Sequence, residues 1–206
     1  MPITNYNELK SSIADFLNRD DLTSTIPSFI ALAEANFNRK IRHWRQEKRS
    51  TAIVSAQYTS FPSDFMEPIR FSLTSDNTRR LEMVGQGTMM EMRENNKDTS
   101  GIPQFFAITD GSLELFPTPA SDHTIEMVYY GKPTALSDSN ATNWLLTYYP
   151  DAYLYGSLMH SAPYLADDGR IQIWAALLQA AIDGINQDSE EAKFNSAGQR
   201  IKIRSY

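Results

Sequence analysis

The sequence contains no cysteine among its 206 residues. This absence excludes a disulfide framework, a thiolate metal site and catalysis by a cysteine nucleophile. It also fits a protein that is made and used in a reducing cytosol. A chain of this length can bury a full apolar core, so its stability does not require a disulfide or a metal ion.

Long apolar runs are also missing. No stretch approaches the roughly 18 consecutive apolar residues that indicate a membrane span. The opening segment MPITNYNELK has neither the basic start nor the apolar run of a secretory signal. We therefore expect a soluble chain that is cytoplasmic when it is made.

An excess of positive charge is missing as well. The chain has 19 Lys and Arg against 25 Asp and Glu, which gives a formal net charge of −6. A protein that binds double-stranded DNA usually has a basic excess, so broad neutralisation of phosphates is not expected. The glycine pair Gly85 and Gly87 lacks the spacing of a dinucleotide or Walker motif. We predict no cofactor.

Candidate catalytic side chains are scattered. His43, His123 and His160 lie far apart without a partner at metal-ligand spacing, so we predict surface or packing roles for them. The carboxylates Asp167 and Asp168 suit acid–base work, but a turn with a helix-capping aspartate explains them more simply. We therefore predict no catalytic or metal-binding residue and do not expect an enzyme.

Both ends of the sequence show helical periodicity. Asn5 and Glu8 have capping-box spacing, and Pro27 and Pro150 suit the first turns of later helices. Predicted apolar faces comprise Ile30, Ala33, Phe37, Ile41 and Trp44, then Leu154, Leu158, Ala162 and Leu165, and finally Ile171, Trp174, Leu178, Ala181, Ile182 and Ile185. The helical pattern dissolves from Gln187.

The middle of the sequence has the alternation of strands. Predicted core-facing residues are Ala52, Val54 and Ala56, then Ile69, Phe71 and Leu73. Asp110-Gly111 between Gln104–Thr109 and Ser112–Phe116 predicts a two-residue hairpin, because both central residues tolerate positive φ. Ile125–Tyr130 predicts another strand, and Thr88–Glu94 predicts a short helix.

These patterns predict an α+β fold. The helices at 1–46 and 144–190 form a discontinuous bundle that buries their apolar stripes together. A mostly antiparallel β subdomain is inserted at 47–143, and residues 191–206 form a C-terminal tail.

Two basic segments are candidates for partner contact. The first holds six of the basic residues near a predicted helix C-terminus: Arg39, Lys40, Arg42, Arg45, Lys48 and Arg49. Favourable interaction with the helix dipole is a sufficient explanation, and contact with an acidic protein or nucleic acid is the alternative. The second alternates as a strand would, as Arg200, Ile201, Lys202, Ile203 and Arg204, and could pair with a partner sheet or dock as an extended peptide.

Three motifs stand out in combination. The segment WLLTYYPDAYLYGSL runs from Trp144 to Leu158, a proline-bounded hairpin runs from Gly101 to Pro119, and the turn FPSDF begins at Phe61. With the helix at 26–42, they resemble the head-to-tail adaptor, or tail tubular, proteins of short-tailed bacteriophages over nearly the whole chain.

The resemblance implies a structural virion protein of the neck or tail, present in the host cytoplasm during assembly. Such proteins form a ring, usually a dodecamer, that joins the portal protein to a tail nozzle or tail tube protein. Genome DNA passes through the channel during ejection without specific binding. Twelve copies would carry on the order of −70 charges, and an acidic lumen would repel phosphate.

Two other functions stay open at this point. A virion-associated carbohydrate-active or lytic enzyme fits the 11% aromatic content and abundant acids, although no carboxylate pair stands out. A nucleic-acid-binding accessory protein is disfavoured by the negative net charge.

Overall fold

The structure of the chain, a computed structural model, describes residues 2–75, 79–96, 99–165 and 169–194. It confirms the α+β fold class, with helices at both ends and antiparallel-rich sheets between them. Two compact units are present: a helical unit of Met1–Arg45 with Pro133–Tyr206, and a β unit of Gln46–Lys132. The domain boundaries inferred from the sequence stay a prediction.

The helical unit is built around one central helix. Its helices are α1 (Tyr6–Leu17), α2 (Ile26–Lys40), α4 (Trp144–Tyr148), α5 (Pro150–His160) and α6 (Arg170–Phe194). Helix α5 packs against α1, α2, α4 and α6. The central position of α5 explains why Ala152, Tyr153, Leu154, Gly156 and Leu158 are all buried.

Polar caps fix where the helices begin. The Asn5 side chain accepts a hydrogen bond from Glu8 N–H at 3.0 Å, as its spacing predicts. The Glu8 carboxylate accepts from Thr4 N–H at 2.7 Å, one residue before the position that a standard capping box uses. Asn143 caps α4 in the same way, accepting from Leu146 N–H at 2.9 Å.

Close approach of α2 and α5 depends on Gly156. A Cβ atom at this position would lie 2.9 Å from the Phe37 ring and 3.1 Å from the Ala33 methyl group. Gly156 therefore lies on a closely packed face of α5. Beside it, the rings of Phe37 and Tyr153 meet edge to face with centroids 5.2 Å apart.

The β unit holds two four-stranded sheets and one small helix, α3 (Gln86–Asn95). Its strands are β1 (Glu47–Val54), β2 (Tyr58–Ser60), β3 (Phe65–Leu73), β4 (Arg79–Arg80), β5 (Glu82–Met83), β6 (Ser100–Gly101), β7 (Phe105–Thr109), β8 (Ser112–Phe116), β9 (Thr118–Pro119) and β10 (His123–Gly131). The strand orders are β1-β10-β3-β4 and β2-β8-β7-β5, and β6 pairs with β9.

The two larger sheets share one apolar core. Phe71 from the first sheet lies against Phe106 from the second, with ring centroids 4.7 Å apart. The predicted hairpin is confirmed between β7 and β8, where Asp110 and Gly111 have φ of 49° and 67°. The predicted short helix is confirmed as α3, whose Met89 packs against Ala107 and Phe116.

Four periodicity predictions are wrong in detail. Ala56 is exposed, because β1 ends at Val54 before the alternation reaches it. Trp44 is exposed, because α2 ends at Lys40 and the chain then leaves the helical path. Ile69 is exposed, because the pairing of β3 with β10 shifts register there and turns its side chain from the core. Helix α5 ends at His160, before the predicted face reaches Leu165, since Pro163 has no N–H to continue it.

Helix α6 extends to Phe194, beyond the point where its apolar pattern dissolves. Polar tertiary contacts hold α6 where this extension begins. The Asn186 side chain bonds to Arg42 N–H and to the Lys40 carbonyl, and Ser189 accepts from Trp44 N–H at 3.0 Å. Such contacts leave no apolar period in the sequence.

Candidate partner-contact surface

The predicted basic cluster is divided by the fold. Arg39 and Lys40 occupy the last turn of α2, whereas Lys48 and Arg49 lie in β1. The prediction that the whole cluster lies at a helix end is therefore wrong for the last two. The strand begins at Glu47, earlier than the alternation of apolar residues indicates.

Arg42 closes the end of α2. Its guanidinium donates to the carbonyl oxygens of Asn38 at 3.0 Å and Ile41 at 2.8 Å. These carbonyls lie where the helix has run out of its own N–H donors. This contact gives Arg42 a structural role whether or not it also meets a partner.

Arg45 lies between two exposed aromatic rings. Its guanidinium carbon is 4.3 Å from the centroid of Trp44 and 3.8 Å from that of Tyr148. Both distances fall within the range of cation–π attraction. Trp44 follows α2, and Tyr148 ends α4, so the stack joins two segments about a hundred residues apart.

A second layer of rings supports the first. His43 is buried and stacks on Trp144, with centroids 5.1 Å apart and planes at 19°. Tyr149 meets both rings edge on. We call these six residues the aromatic–arginine cluster: His43, Trp44, Arg45, Trp144, Tyr148 and Tyr149.

Hydrogen bonds fix this second layer. His43 Nδ1 accepts from Arg45 N–H at 3.2 Å, which places the ring proton on Nε2, 3.4 Å from the Tyr149 hydroxyl. That hydroxyl donates to Asp188 at 2.9 Å. Burial and the nearby Arg45 charge lower the pKa of His43, so the neutral ring is favoured. The packing role predicted for His43 is confirmed.

Arg49 is tied to a carboxylate of the β unit. Arg49 and Arg70 both donate to Glu126, at 2.6 and 3.0 Å, and these bonds from Arg49 and then Arg70 lower the Glu126 pKa. The Arg49 side chain nevertheless remains 71% exposed. It can therefore bind Glu126 and still present charge to solvent.

The remaining site predictions fall elsewhere. Arg200, Ile201, Lys202, Ile203 and Arg204 lie outside the described residues, as do Asp167 and Asp168. Among the methionines of the β unit, Met89 is buried whereas Met83 and Met90 are exposed. Sequence reasoning missed the cluster as a unit. The aromatic motif near Trp144 was visible, but nothing local indicated that it packs against His43 and Arg45.

An open groove in the β unit contains Glu114, a carboxylate with several hydrogen-bond donors. It encloses about 390 Å³ and is lined in part by Tyr58, Met90 and Glu114. Glu114 accepts from Arg93 at 2.7 Å and from Thr109 at 2.9 Å. Burial alone would raise the pKa of Glu114, but these bonds and one from Gln57 lower it. A carboxylate held in its ionised form this way is a poor proton donor.

Within the described part of the chain, no three His, Asp or Glu side chains are grouped as a metal ion would require. We also find, among the same residues, no helix with the length and apolarity of a membrane span. The arrangement at the aromatic–arginine cluster instead suits contact with another macromolecule, because exposed tryptophan, tyrosine and arginine are the residue types that dominate binding at protein interfaces.

The chain matches the family model of the SU10 adaptor protein over residues 4–201, which is nearly its whole length. No curated protein matches it. The fold and the match define a structural adaptor protein of a bacteriophage, and therefore a virion component. The chain belongs to the SU10 adaptor family, a family of phage head-to-tail adaptors, which confirms the resemblance inferred from the motifs.

Proposed function

We propose that this protein forms a ring that joins the portal to the tail and lines the channel through which DNA leaves the head. The observation that carries the proposal is the family match across residues 4–201. Because the match covers both compact units, the adaptor role extends to the whole chain. The partners are the portal protein and a tail nozzle or tail tube protein, and the ring is a dodecamer that assembles in the host cytoplasm.

The net charge supports a channel role. A ring of twelve copies carries on the order of −70 charges, which repel the phosphates of passing DNA. The genome therefore moves through the ring without specific binding. Because a channel that repels phosphates should not expose cations, we assign the exposed cations to protein contacts at the ends of the ring.

The aromatic–arginine cluster is our proposed contact with the portal or the nozzle. Trp44, Arg45 and Tyr148 are the outer members, and the layer below holds them in place through the buried His43 and the partly buried Trp144 and Tyr149. Arg49 adds a contact from the β unit, and Arg42 supports the loop that carries Arg45. Residues 200–204, which lie outside the described residues, complete the proposed contacts.

Mass and symmetry, measured by light scattering and negative-stain imaging, test this function. The protein is studied alone and with its cognate portal. We expect a ring of uniform symmetry on the portal, and Arg45→Glu should weaken its docking at least tenfold. Gln172→Glu is the matched control, since it adds negative charge at an exposed site on α6 away from the cluster.

A protein that stays monomeric and does not bind the portal would contradict the proposal. In that case the virion-associated enzyme and the nucleic-acid-binding accessory protein would return as explanations. Neither is proposed here, because the family is one of structural adaptors.

A further inference from the structure

Helix α6 has a second apolar face that the described residues of the helical unit leave exposed. Its buried face includes Trp174, Leu178, Ile182 and Ile185. On another side lie the exposed residues Ile173, Ala176, Leu177, Ala180 and Gly184, which we call the α6 stripe. Ile173 is 60% and Leu177 is 40% exposed. An isolated monomer gains no stability from a continuous apolar stripe exposed to water.

Helix α2 carries a stripe of the same design. Its exposed residues Ser28, Ala31, Leu32, Ala35 and Arg39 form the α2 stripe. Leu32 is 50% exposed. Both stripes follow helical spacing, with one leucine flanked by small residues. The small residues let two helices approach to about 8 Å, with the leucines filling the space between them.

The two helices run in the same direction. The C-terminal end of α2 lies beside Asn186 in the second half of α6, through bonds to Lys40 and Arg42. Near the N-terminal end of α2, the ring centroid of Phe29 lies 5.3 Å from that of Tyr164, which precedes α6 in sequence. Both helices pack on α5, which leaves both stripes facing outward.

Charges beyond the apolar residues are complementary when the stripes meet in parallel. With Leu32 opposite Leu177, the equal spacing brings Arg39 opposite Gly184, where the surface is open because a Cβ would meet nothing within 4 Å. The exposed acids Asp183 and Asp188 lie within about one turn of that position, about 5–6 Å along the axis. Arg39 can therefore reach a carboxylate in the parallel arrangement.

We propose that the two stripes are the two halves of one subunit interface, in which the α2 stripe of one copy packs in parallel on the α6 stripe of the next. This inference rests on the proposed ring function. Rotation about a ring axis that runs along the helices preserves their direction, and a ring uses two different surfaces on each copy. A two-fold dimer would instead place one stripe against itself in the opposite direction.

Cross-linking between engineered cysteines tests this interface cleanly, because the chain has no cysteine of its own. Leu32→Cys and Leu177→Cys are made separately, mixed in the presence of the portal and treated with a short thiol-specific cross-linker. We expect a covalent dimer in the mixture and none with either variant alone. The double variant should give a ladder of higher oligomers. Leu32→Cys mixed with Gln179→Cys, on the polar side of α6, is the control pair.

A second variant checks the interface without cysteine. Leu177→Glu should reduce the fraction of protein in rings at least tenfold. Gln179→Glu adds the same charge to the polar side of the same helix and should leave that fraction unchanged. Tryptophan fluorescence of each variant verifies that the helical unit is folded.

Three results would overturn the inference in distinguishable ways. A ring without the Leu32–Leu177 cross-link leaves the adaptor function standing and rejects this interface. A cross-link from Leu177→Cys alone indicates an α6 pair and a two-fold contact. Absence of any ring, alone or on the portal, rejects the proposed function together with the interface.

Discussion

In the helical unit the partly buried carboxylate of Glu34 accepts from two neutral donors, the Tyr153 hydroxyl at 3.0 Å and Leu136 N–H at 2.8 Å. In the β unit, Glu114 accepts from the charged Arg93 guanidinium. Burial raises the pKa of Glu34, whereas hydrogen bonds overcome burial and lower that of Glu114. The two units therefore respond to acid in opposite directions at these sites.

The comparison extends to the cations. In the helical unit, Arg42 contacts backbone carbonyls and Arg45 contacts aromatic rings, although Arg19 binds the carboxylate of Asp21. Arginines of the β unit, such as Arg49 and Arg93, bind carboxylates. A run of basic residues that looks uniform in the sequence thus has two electrostatic environments. Among the described residues, no carboxylate forms a salt bridge with Arg45. Its positive charge therefore suits contact with an acidic partner surface.

The largest expected effect on stability comes from removing the Tyr153 ring from the core of the helical unit. Tyr153→Ala removes a fully buried ring and should lower the free energy of unfolding of the helical unit by about 3–5 kcal/mol. Tyr153→Phe removes the hydroxyl alone and should cost about 1–2 kcal/mol. All three tryptophans lie in this unit, so urea unfolding followed by tryptophan fluorescence reports on it selectively. Equal losses for the two variants would contradict the core role of the ring.

Breaking the ion pair between Arg93 and Glu114 in the β unit should have the next largest effect on stability. Glu114→Gln leaves the Arg93 guanidinium partly buried without its carboxylate, at a cost of about 2–3 kcal/mol. Hydrogen exchange of the β7–β8 hairpin should accelerate accordingly. Glu126→Gln is the control and should have a smaller effect, because its partners Arg49 and Arg70 stay hydrated. A larger loss for Glu126→Gln would reverse our ranking.

The pH dependence of stability should distinguish the two units. The folded pKa of Glu34 lies above its ordinary value of 4.5, so the protonated group stabilises the fold below pH 4.5 and this contribution is lost as the pH rises through the raised pKa. For Glu114 the contribution is present above pH 4.5 and is lost as the pH falls through the lowered pKa.

Urea midpoints of wild type and Glu34→Gln, measured by fluorescence from pH 4 to 7, isolate the first contribution. The stability of wild type relative to the variant should decrease as the pH rises above 4.5. A relative stability that increases over that range would show that Glu34 is held as a carboxylate.

The smallest expected effect on stability belongs to the proposed contact itself. Arg45→Ala removes two cation–π contacts at a partly exposed site and should cost about 0.5–1 kcal/mol in the fluorescence-detected unfolding. Its effect on portal docking should be much larger than this. If instead the variant unfolds the helical unit, Arg45 is a structural residue.

Much of the fold follows from local rules. The Asp110-Gly111 hairpin, the Asn5 cap and the start of α2 at Ile26-Pro27 are predictable, because each depends on residues within a few positions. Trp44 and Ile69 were predicted to face the core and do not. Their positions depend on where α2 ends and on a register shift, and both are set by contacts distant in sequence.

The candidate site is less predictable than the fold. Nothing near His43 in the sequence indicates that Trp144 stacks on it, since that contact exists only once the segment after α2 meets the start of α4 in the folded chain. The α2 and α6 stripes were not predicted from the sequence for a different reason. Periodicity identifies apolar faces, but only packing reveals which of two apolar faces on one helix remains exposed.

The most direct test of the adaptor function is electron microscopy of phage particles assembled without this protein. We predict that DNA-filled or emptied heads accumulate without tails, and that supplying the wild-type chain restores tailed particles. Complete, tailed and infectious particles in the absence of the protein would contradict the claim that it joins head to tail.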